Sequence, residues 1–277
     1  MSAAPAPLYW QCLGPIDGET VVLSAGLGGS HSYWASQLPA LTGRYRVLVY
    51  DHLGTGRSPG QLPDSYSVAD MAAELDALLA QQAPGPVHFI GHALGGLIGL
   101  ELARRSPQRL ASLLLINAWA EPNEHSRRCF SVRRKLLQNA GPEAYLEAQP
   151  LFLYPPVWIA GNSEWLEQES AHALENFPAG DNLLRRMAAL QAWQPGPEQL
   201  AQVQTGTLVL ATRDDALVPW TCSQTLASRL PNAGFRLLPE GGHGVNITEV
   251  DRFNELMLGH LGKHRLPTQV LNTQEAL

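Results

Sequence analysis

Short runs of Val, Leu, Ile, Tyr and Phe recur along the chain, separated by stretches whose apolar positions fall three and four apart. The runs at 21–25, 45–50, 87–90, 113–117 and 208–212 lack strict apolar–polar alternation, as expected of strands covered on both faces. Residues 235–238 predict a last strand, and 8–13 with 19–23 an antiparallel edge. Between the runs, 67–82 sets Met71, Leu75, Leu78 and Leu79 on one helical stripe, with Asp70, Glu74 and Asp76 elsewhere around it. Leu94–Arg105 predicts a helix that opens at a glycine-rich turn and ends in cations, which favour a helix C-terminus. Residues 250–261 predict a final helix. Strands alternating with helices predict an α/β fold: a mainly parallel central sheet of about eight strands, with helices on both faces.

The alternation stops between 121 and 197. That stretch is helical in composition, carries Trp158, Trp165 and Trp193, and is broken by Pro150, Pro155, Pro156 and Pro178. Lying between two core strands, it must leave the sheet and return. It therefore predicts a helical cap (121–197) inserted over the C-terminal edge of a core made from 1–120 and 198–277. A length of 277 residues suits one large domain or a core with such an insertion. Hydrophobic residues at 45% and charged residues at 16% describe a globular interior. The net charge of −6, with no extended basic tract, argues against nucleic acid or an anionic membrane surface as partner. Cys12, Cys129 and Cys222 lie far apart and read as reduced thiols, with neither a disulfide framework nor a zinc site suggested. Residues 1–11 show no signal-peptide pattern, and the longest nearly apolar stretch, 110–120, is about half a membrane span. The expectation is a soluble cytoplasmic protein.

In an open α/β sheet, ligands sit beyond the carboxyl ends of the strands, so candidate chemistry belongs in the loops that follow strands. After 87–90 comes Gly91-His92-Ala93-Leu94-Gly95 and then a helix. Its spacing is that of the nucleophile elbow G-x-S-x-G, in which small flanking residues let a strand turn sharply and expose the middle side chain. Here that position holds Ala93. After 208–212 come Asp214 and Asp215, and after 235–238 comes Gly241-Gly242-His243-Gly244. The order elbow, acid, histidine is that of a Ser-Asp-His triad. A carboxylate there would fix the imidazole tautomer and leave the other ring nitrogen as a base. Asp215 is preferred to Asp214 because it lies four residues before Pro219, matching the D-x-x-x-P ending of that loop in such proteins. The loop 24–30 would supply one oxyanion-hole amide, at Leu27, and Leu94 the other.

Each loop also has a plainer reading. G-x-x-x-G in an apolar run often marks only close helix packing, Gly-Gly-His can be a turn with a solvated histidine, and Asp214-Asp215 a helix cap. Taken together and in order, the loops favour the catalytic reading. His260 and His264 stand at chelating i, i+4 spacing, but at a polar helix end with no acidic ligand nearby in sequence. They read as a solvated helix end, and no metal is expected.

At these residues the sequence resembles the α/β-hydrolase superfamily over nearly its whole length. Gly26-Leu27-Gly28-Gly29-Ser30 and 51–58 (DHLGTGRS) are typical of it. More closely it resembles the hydrolase-like family of the Rut pyrimidine-degradation pathway. That match is carried by 26–34 (GLGGSHSYW), 91–95 (GHALG), the RRCFSVR stretch from Arg127, 148–155 (AQPLFLYP) and 182–186 (NLLRR). The resemblance implies a role after uracil ring opening: hydrolysis of carbamate to ammonia and CO2, or of 3-aminoacrylate to malonic semialdehyde. It implies no cofactor, and it implies that Ala at the elbow is normal, so Ala93 need not be an engineered knockout. His243 and Asp215 match the base and acid positions of the superfamily.

Three functions fit these residues. The first is an enzyme in which His243, held by Asp215, activates water against a labile small acid without a serine nucleophile. The second is a conventional ester or amide hydrolase inactivated by alanine at the elbow. The third is a non-catalytic small-ligand-binding protein that keeps only the pocket. In the cap, Arg127, Arg128, Arg133, Arg134 and Lys135 form a basic face that is either solvated or a clamp for a substrate carboxylate, with Arg127 and Arg128 as the substrate-binding candidates. Trp34 and Tyr154 are further pocket candidates, against plain aromatic packing. The partner expected is a small-molecule substrate, with a homodimer left open.

Overall fold

The computed structural model describes residues 8–266. The stretch 1–7, which holds most of the segment considered above as a leader, and 267–277 lie outside the described residues. One sheet is built from β1 (Trp10–Leu13), β2 (Thr20–Ser24), β3 (Arg46–Tyr50), β4 (Val87–His92), β5 (Leu110–Ile116), β6 (Thr207–Thr212) and β7 (Ala233–Leu238). The spatial order is β1-β3-β2-β4-β5-β6-β7, parallel throughout except for β1 against β3.

Two expectations are corrected. The sheet has seven strands among the described residues rather than about eight. Residues 19–23 are not an antiparallel edge, because β2 runs parallel between β3 and β4. The reason is visible in its side chains: Val21, Val22 and Leu23 are all fully buried, and a strand apolar on both faces belongs inside a sheet.

Successive residues of the central strands feed two different cores. Val22, Leu48, Phe89, Leu113 and Leu115 join one that includes Met71, Leu75 and Leu97. Val21, Leu23, Val47, Ile90 and Leu114 join the other, with Phe253, Met257 and Leu261. The first layer thus holds α1 (Val68–Gln82) and α2 (Leu94–Arg105), which pack together. The second holds the C-terminal helix, Val250–Lys263. Ser67 starts α1 with a reciprocal cap: its hydroxyl accepts from Asp70 N at 3.2 Å, and the Asp70 carboxylate accepts from Ser67 N at 2.9 Å.

Between β5 and β6 the chain forms α3 (Glu124–Ala148), two short helices (Pro150–Leu153 and Pro156–Gly161), α4 (Ser163–Glu175) and α5 (Asn182–Ala192). α3 is broken at Gly141 (φ +88°) ahead of Pro142. These helices are tied to loops at the carboxyl ends of the strands. Buried Asn182 accepts from Leu62 N (2.9 Å) and donates to the Gly54 and Gly60 carbonyls (3.2 and 3.0 Å). Gly244 N donates to the Leu153 carbonyl (2.9 Å). Because β2 has β3 on one side and β4 on the other, the strand order reverses there and opens a crevice beyond the ends of β2 and β4.

One half-buried acid in the α1 layer carries a pH signature. Glu74 accepts from the Tyr66 hydroxyl (2.7 Å), and burial pushes its carboxyl up to about 7. The folded protein therefore keeps a proton that the unfolded chain has released, and this contribution to stability is lost as pH rises from about 4.5 to about 7. Urea titrations at pH 5 and pH 8 should show a larger loss for the native protein than for Glu74→Gln, by on the order of 2 kcal/mol. Equal losses would mean that Glu74 is charged throughout.

Candidate active site

The turn from β4 into α2 is the single residue Ala93, at φ +48° and ψ −111°, a backbone strained for any residue with a side chain. What holds it there is close backbone packing. A Cβ on Gly91 would lie 2.5 Å from the carbonyl of Gly95, and one on Gly95 would lie 2.1 Å from the Ser24 carbonyl oxygen at the end of β2. The loop after β2 is also pressed on the elbow, since a Cβ on Gly26 would be 2.9 Å from His92 Nδ1. Among the described residues, neither the Leu27 nor the Leu94 backbone N–H has a hydrogen-bond partner. Both are free donors in the crevice region.

His243 and Asp215 are buried and joined, Nδ1 to Oδ2, at 2.7 Å. The other carboxylate oxygen, Oδ1, accepts from Leu217 N and Val218 N, both at 2.8 Å. Asp215 is thereby fixed on three sides. Asp214 acts on the backbone instead. It accepts from Gly241 N (3.2 Å) and Gly242 N (2.9 Å), anchoring the glycine turn that carries His243. Thr212 Oγ1 donates to the Gly242 carbonyl at 2.7 Å and pins the same turn.

The elbow and the histidine loop meet through the backbone carbonyl of His243. It accepts from His92 Nε2 (2.9 Å) and from Asn117 Nδ2 (2.7 Å). Asn117, at the end of β5, sits at φ +49° to make this contact. Burial, and then the neighbouring His243, hold His92 well below the usual imidazole range, so its ring is neutral and carries its hydrogen on Nε2. Tyr33 stacks on His92 (centroids 4.9 Å apart, 25°), and its hydroxyl donates to Asn246 Oδ1 at 2.7 Å. Among the described residues His243 Nε2 makes no hydrogen bond.

The other sequence candidates divide. Tyr154 lies over the histidine turn, its ring 2.7 Å from where a Cβ on Gly244 would stand, and packs on Trp158 (4.7 Å). Trp34 is corrected: it is fully buried in the core with Leu23, Leu41 and Val47, and its neighbour Tyr33 faces the site instead. Arg127 and Arg128 are corrected too. Both are exposed on the outer side of α3, and Arg128 pairs with Glu124 at 3.0 Å in open solvent. α3 turns Cys129, Phe130 and Arg133 inward instead, so the buried cap cations are Arg133 and, from α5, Arg186. Asn117, Tyr33, His52 and Arg186 had no role in the sequence reading. For Asn117 the strand-end rule was an available signal, and for Arg186 the NLLRR segment was. His260, expected in solvent, is buried, and burial followed by the charge of His264 lowers it to about 4. Among the described residues no group of three His, Cys, Asp or Glu side chains is placed to hold a metal ion, and no helix is long and apolar enough to cross a membrane. The three cysteines are free thiols.

The family model for the α/β-hydrolase fold matches residues 19–155. RutD of Stutzerimonas stutzeri (strain A1501) is 54% identical over 247 residues, covering 89% of this chain and 93% of its own. RutD of Pseudomonas syringae pv. syringae (strain B728a) is 58% identical over 233 residues, covering 84% and 90%. Both are named as candidate carbamate hydrolases. Among solved structures, a hydrolase from Pseudomonas aeruginosa superposes with a TM-score of 0.83 at 26% identity, covering 92% of this chain and 94% of its own. A seven-stranded sheet with a helical insertion after β5, together with this identity over most of the chain, is decisive: the chain belongs to the RutD family of the α/β-hydrolase fold.

Proposed function

We propose that this protein is a hydrolase that hastens water attack on a labile small acid, carbamate or 3-aminoacrylate, without a covalent intermediate. The observation that carries the reading is a buried, fully oriented His243–Asp215 pair beside an elbow whose apex side chain has no oxygen. Asp215 receives the Nδ1 hydrogen of His243, leaving Nε2 as the base that takes a proton from water. The Leu27 and Leu94 amides receive the negative charge that develops on substrate oxygen. For carbamate, water adds to the carboxyl carbon and the C–N bond breaks to give ammonia and bicarbonate, which equilibrates with CO2. For 3-aminoacrylate, a proton moves to the α-carbon and water adds to the resulting imine. The carbinolamine then loses ammonia to leave malonic semialdehyde. The names of the RutD relatives support the carbamate branch. Both substrates are tested by following their decay in buffer with and without the protein; unchanged lifetimes of both would end this reading.

An acyl-enzyme cannot form at Ala93. Loss of the nucleophile in a serine hydrolase removes roughly 10⁶ in rate, and what survives is about 10³–10⁴ over water. That remainder suits compounds that already decompose on their own and leaves stable esters and amides untouched. Turnover of p-nitrophenyl acetate should therefore match buffer, with no acetyl adduct by mass spectrometry. The strained Ala93 backbone is the observation favouring the second reading, a serine hydrolase that lost its nucleophile. Native-like esterase turnover in Ala93→Ser, with no effect of the unsubstituted protein on either acid, would decide for it.

A further inference from the structure

Arg186 is fully buried and, among the described residues, has no ion-pair partner. One nitrogen is engaged: Nη1 donates to the Leu27 carbonyl at 3.3 Å. Nε and Nη2 have no partner. Next to it His52 Nδ1 and Nε2, and Thr55 Oγ1, are equally buried and unpartnered. These groups adjoin. A Cβ on Gly29 would lie 2.2 Å from Arg186 Nη1 and 3.1 Å from His52 Cβ, and Thr55 N bonds the His52 carbonyl at 3.0 Å. Arg133 and Arg186 both act on buried Tyr145; Arg133 Nη2 donates to the Tyr145 hydroxyl and to Gln149 Oε1, and its Nε is unpartnered.

A desolvated guanidinium without a counter-charge is costly, and folded proteins leave few buried polar atoms unsatisfied. Five such atoms at one junction of cap and core call for a ligand. Nε and Nη2 are the two parallel donors of the guanidinium fork, the pair that meets both oxygens of a carboxylate. Burial, and then Arg186, hold His52 down at about 3, so its ring is neutral and offers one N–H rather than a second charge. Glu74 lies within electrostatic reach of Arg186 but makes no hydrogen bond or ion pair to the guanidinium.

We infer that Arg186, through Nε and Nη2 and assisted by His52 and Thr55, is the binding site for the carboxylate-type anion of this protein's small acid substrate, beside the loop that carries Leu27. The inference deepens the function proposed above and rests on it for the identity of the occupant. Its test is independent of turnover. Propionate and its neutral counterpart propionamide are titrated by ligand-observed NMR into the native protein, His243→Ala, Arg186→Met and Arg186→Lys. Native protein and His243→Ala should bind propionate alike and propionamide at least about ten-fold more weakly. Arg186→Met should lose at least about ten-fold in propionate affinity, and Arg186→Lys, which keeps the charge but not the fork, should fall between. Unliganded Arg186→Met should unfold at a urea concentration no lower than native, since a shorter apolar side chain replaces an unpaired buried charge. Unchanged propionate affinity in Arg186→Met overturns the proposal, as does native protein that binds neither compound. If Arg186→Met does not fold, native-like propionate affinity in Arg186→Lys overturns the fork. A failure of the activity leaves the propionate titrations unaffected, so the two readings fail separately.

Discussion

In the decay assay, His243→Ala is expected to lose about 10²–10⁴ of whatever acceleration the native protein gives, the range of general acid–base catalysis. That corresponds to about 3–5 kcal/mol of transition-state stabilisation. The reason is geometric. Asp215 is held by two backbone amides and turns its second oxygen to His243 Nδ1, so the imidazole has one tautomer and one orientation. The His243 carbonyl, clamped by His92 and Asn117, fixes the loop from behind. Such a histidine is preorganised to move a proton and has no other partner among the described residues. Asp215→Asn should cost nearly as much, because an amide can present its NH2 to Nδ1 and so favour the wrong tautomer. Neither substitution touches the Leu27 and Leu94 amides, so a residual acceleration should remain. The measurement is the first-order decay of each acid at equal concentrations of native and variant protein, with circular dichroism to confirm the fold. A His243→Ala protein as fast as native would rule out the histidine-activated water.

Much of this site could be read in the sequence because its parts are local. The elbow, the Asp214-Asp215 turn and the Gly-Gly-His turn each follow a short, mostly apolar strand, interrupted only by His88 and Arg236, and the parallel sheet brings strand ends together. The rest depends on how distant segments fold over one another. Periodicity placed Arg127 and Arg128 on one side of a helix but could not say which side faces inward. The buried side of α3 carries Cys129, Phe130 and Arg133. Arg186 meets the Leu27 carbonyl across 159 residues of chain, a contact that exists only once the cap has closed over the core. Trp34 and Tyr33 differ by one position in a 3-10 turn, which sends the larger ring into the core and the smaller onto His92. His260 looked solvated beside Gly262 and Lys263, yet the helix packs that face on the sheet. For the arginines and the aromatic pair, composition named the right kind of residue and tertiary packing chose the particular one.

The elbow also sets the largest expected effect on stability. Gly95→Ala would place a methyl carbon 2.1 Å from the Ser24 carbonyl oxygen and 2.6 Å from the Ala25 carbonyl oxygen. Both obstacles are backbone at the end of a fully buried central strand, so no side-chain rotation relieves the clash. Either α2 lifts away from β2 or the strand end bends, and both moves disturb cores on which the sheet depends. Overpacking usually costs about 1–3 kcal/mol, and a clash between two backbones lies at or above the top of that range. An expected loss of about 4 kcal/mol is a large part of the roughly 5–15 kcal/mol available to a domain. Gly28→Ala is the matched control on the adjoining loop. Its added carbon meets nothing within 4 Å and its φ is not positive, so its stability should stay within about 1 kcal/mol of native. Urea titration of both variants separates the two cases. If Gly95→Ala unfolds at the native midpoint, β2 and α2 are not in the close contact that shapes the elbow, and the strain at Ala93 has another source.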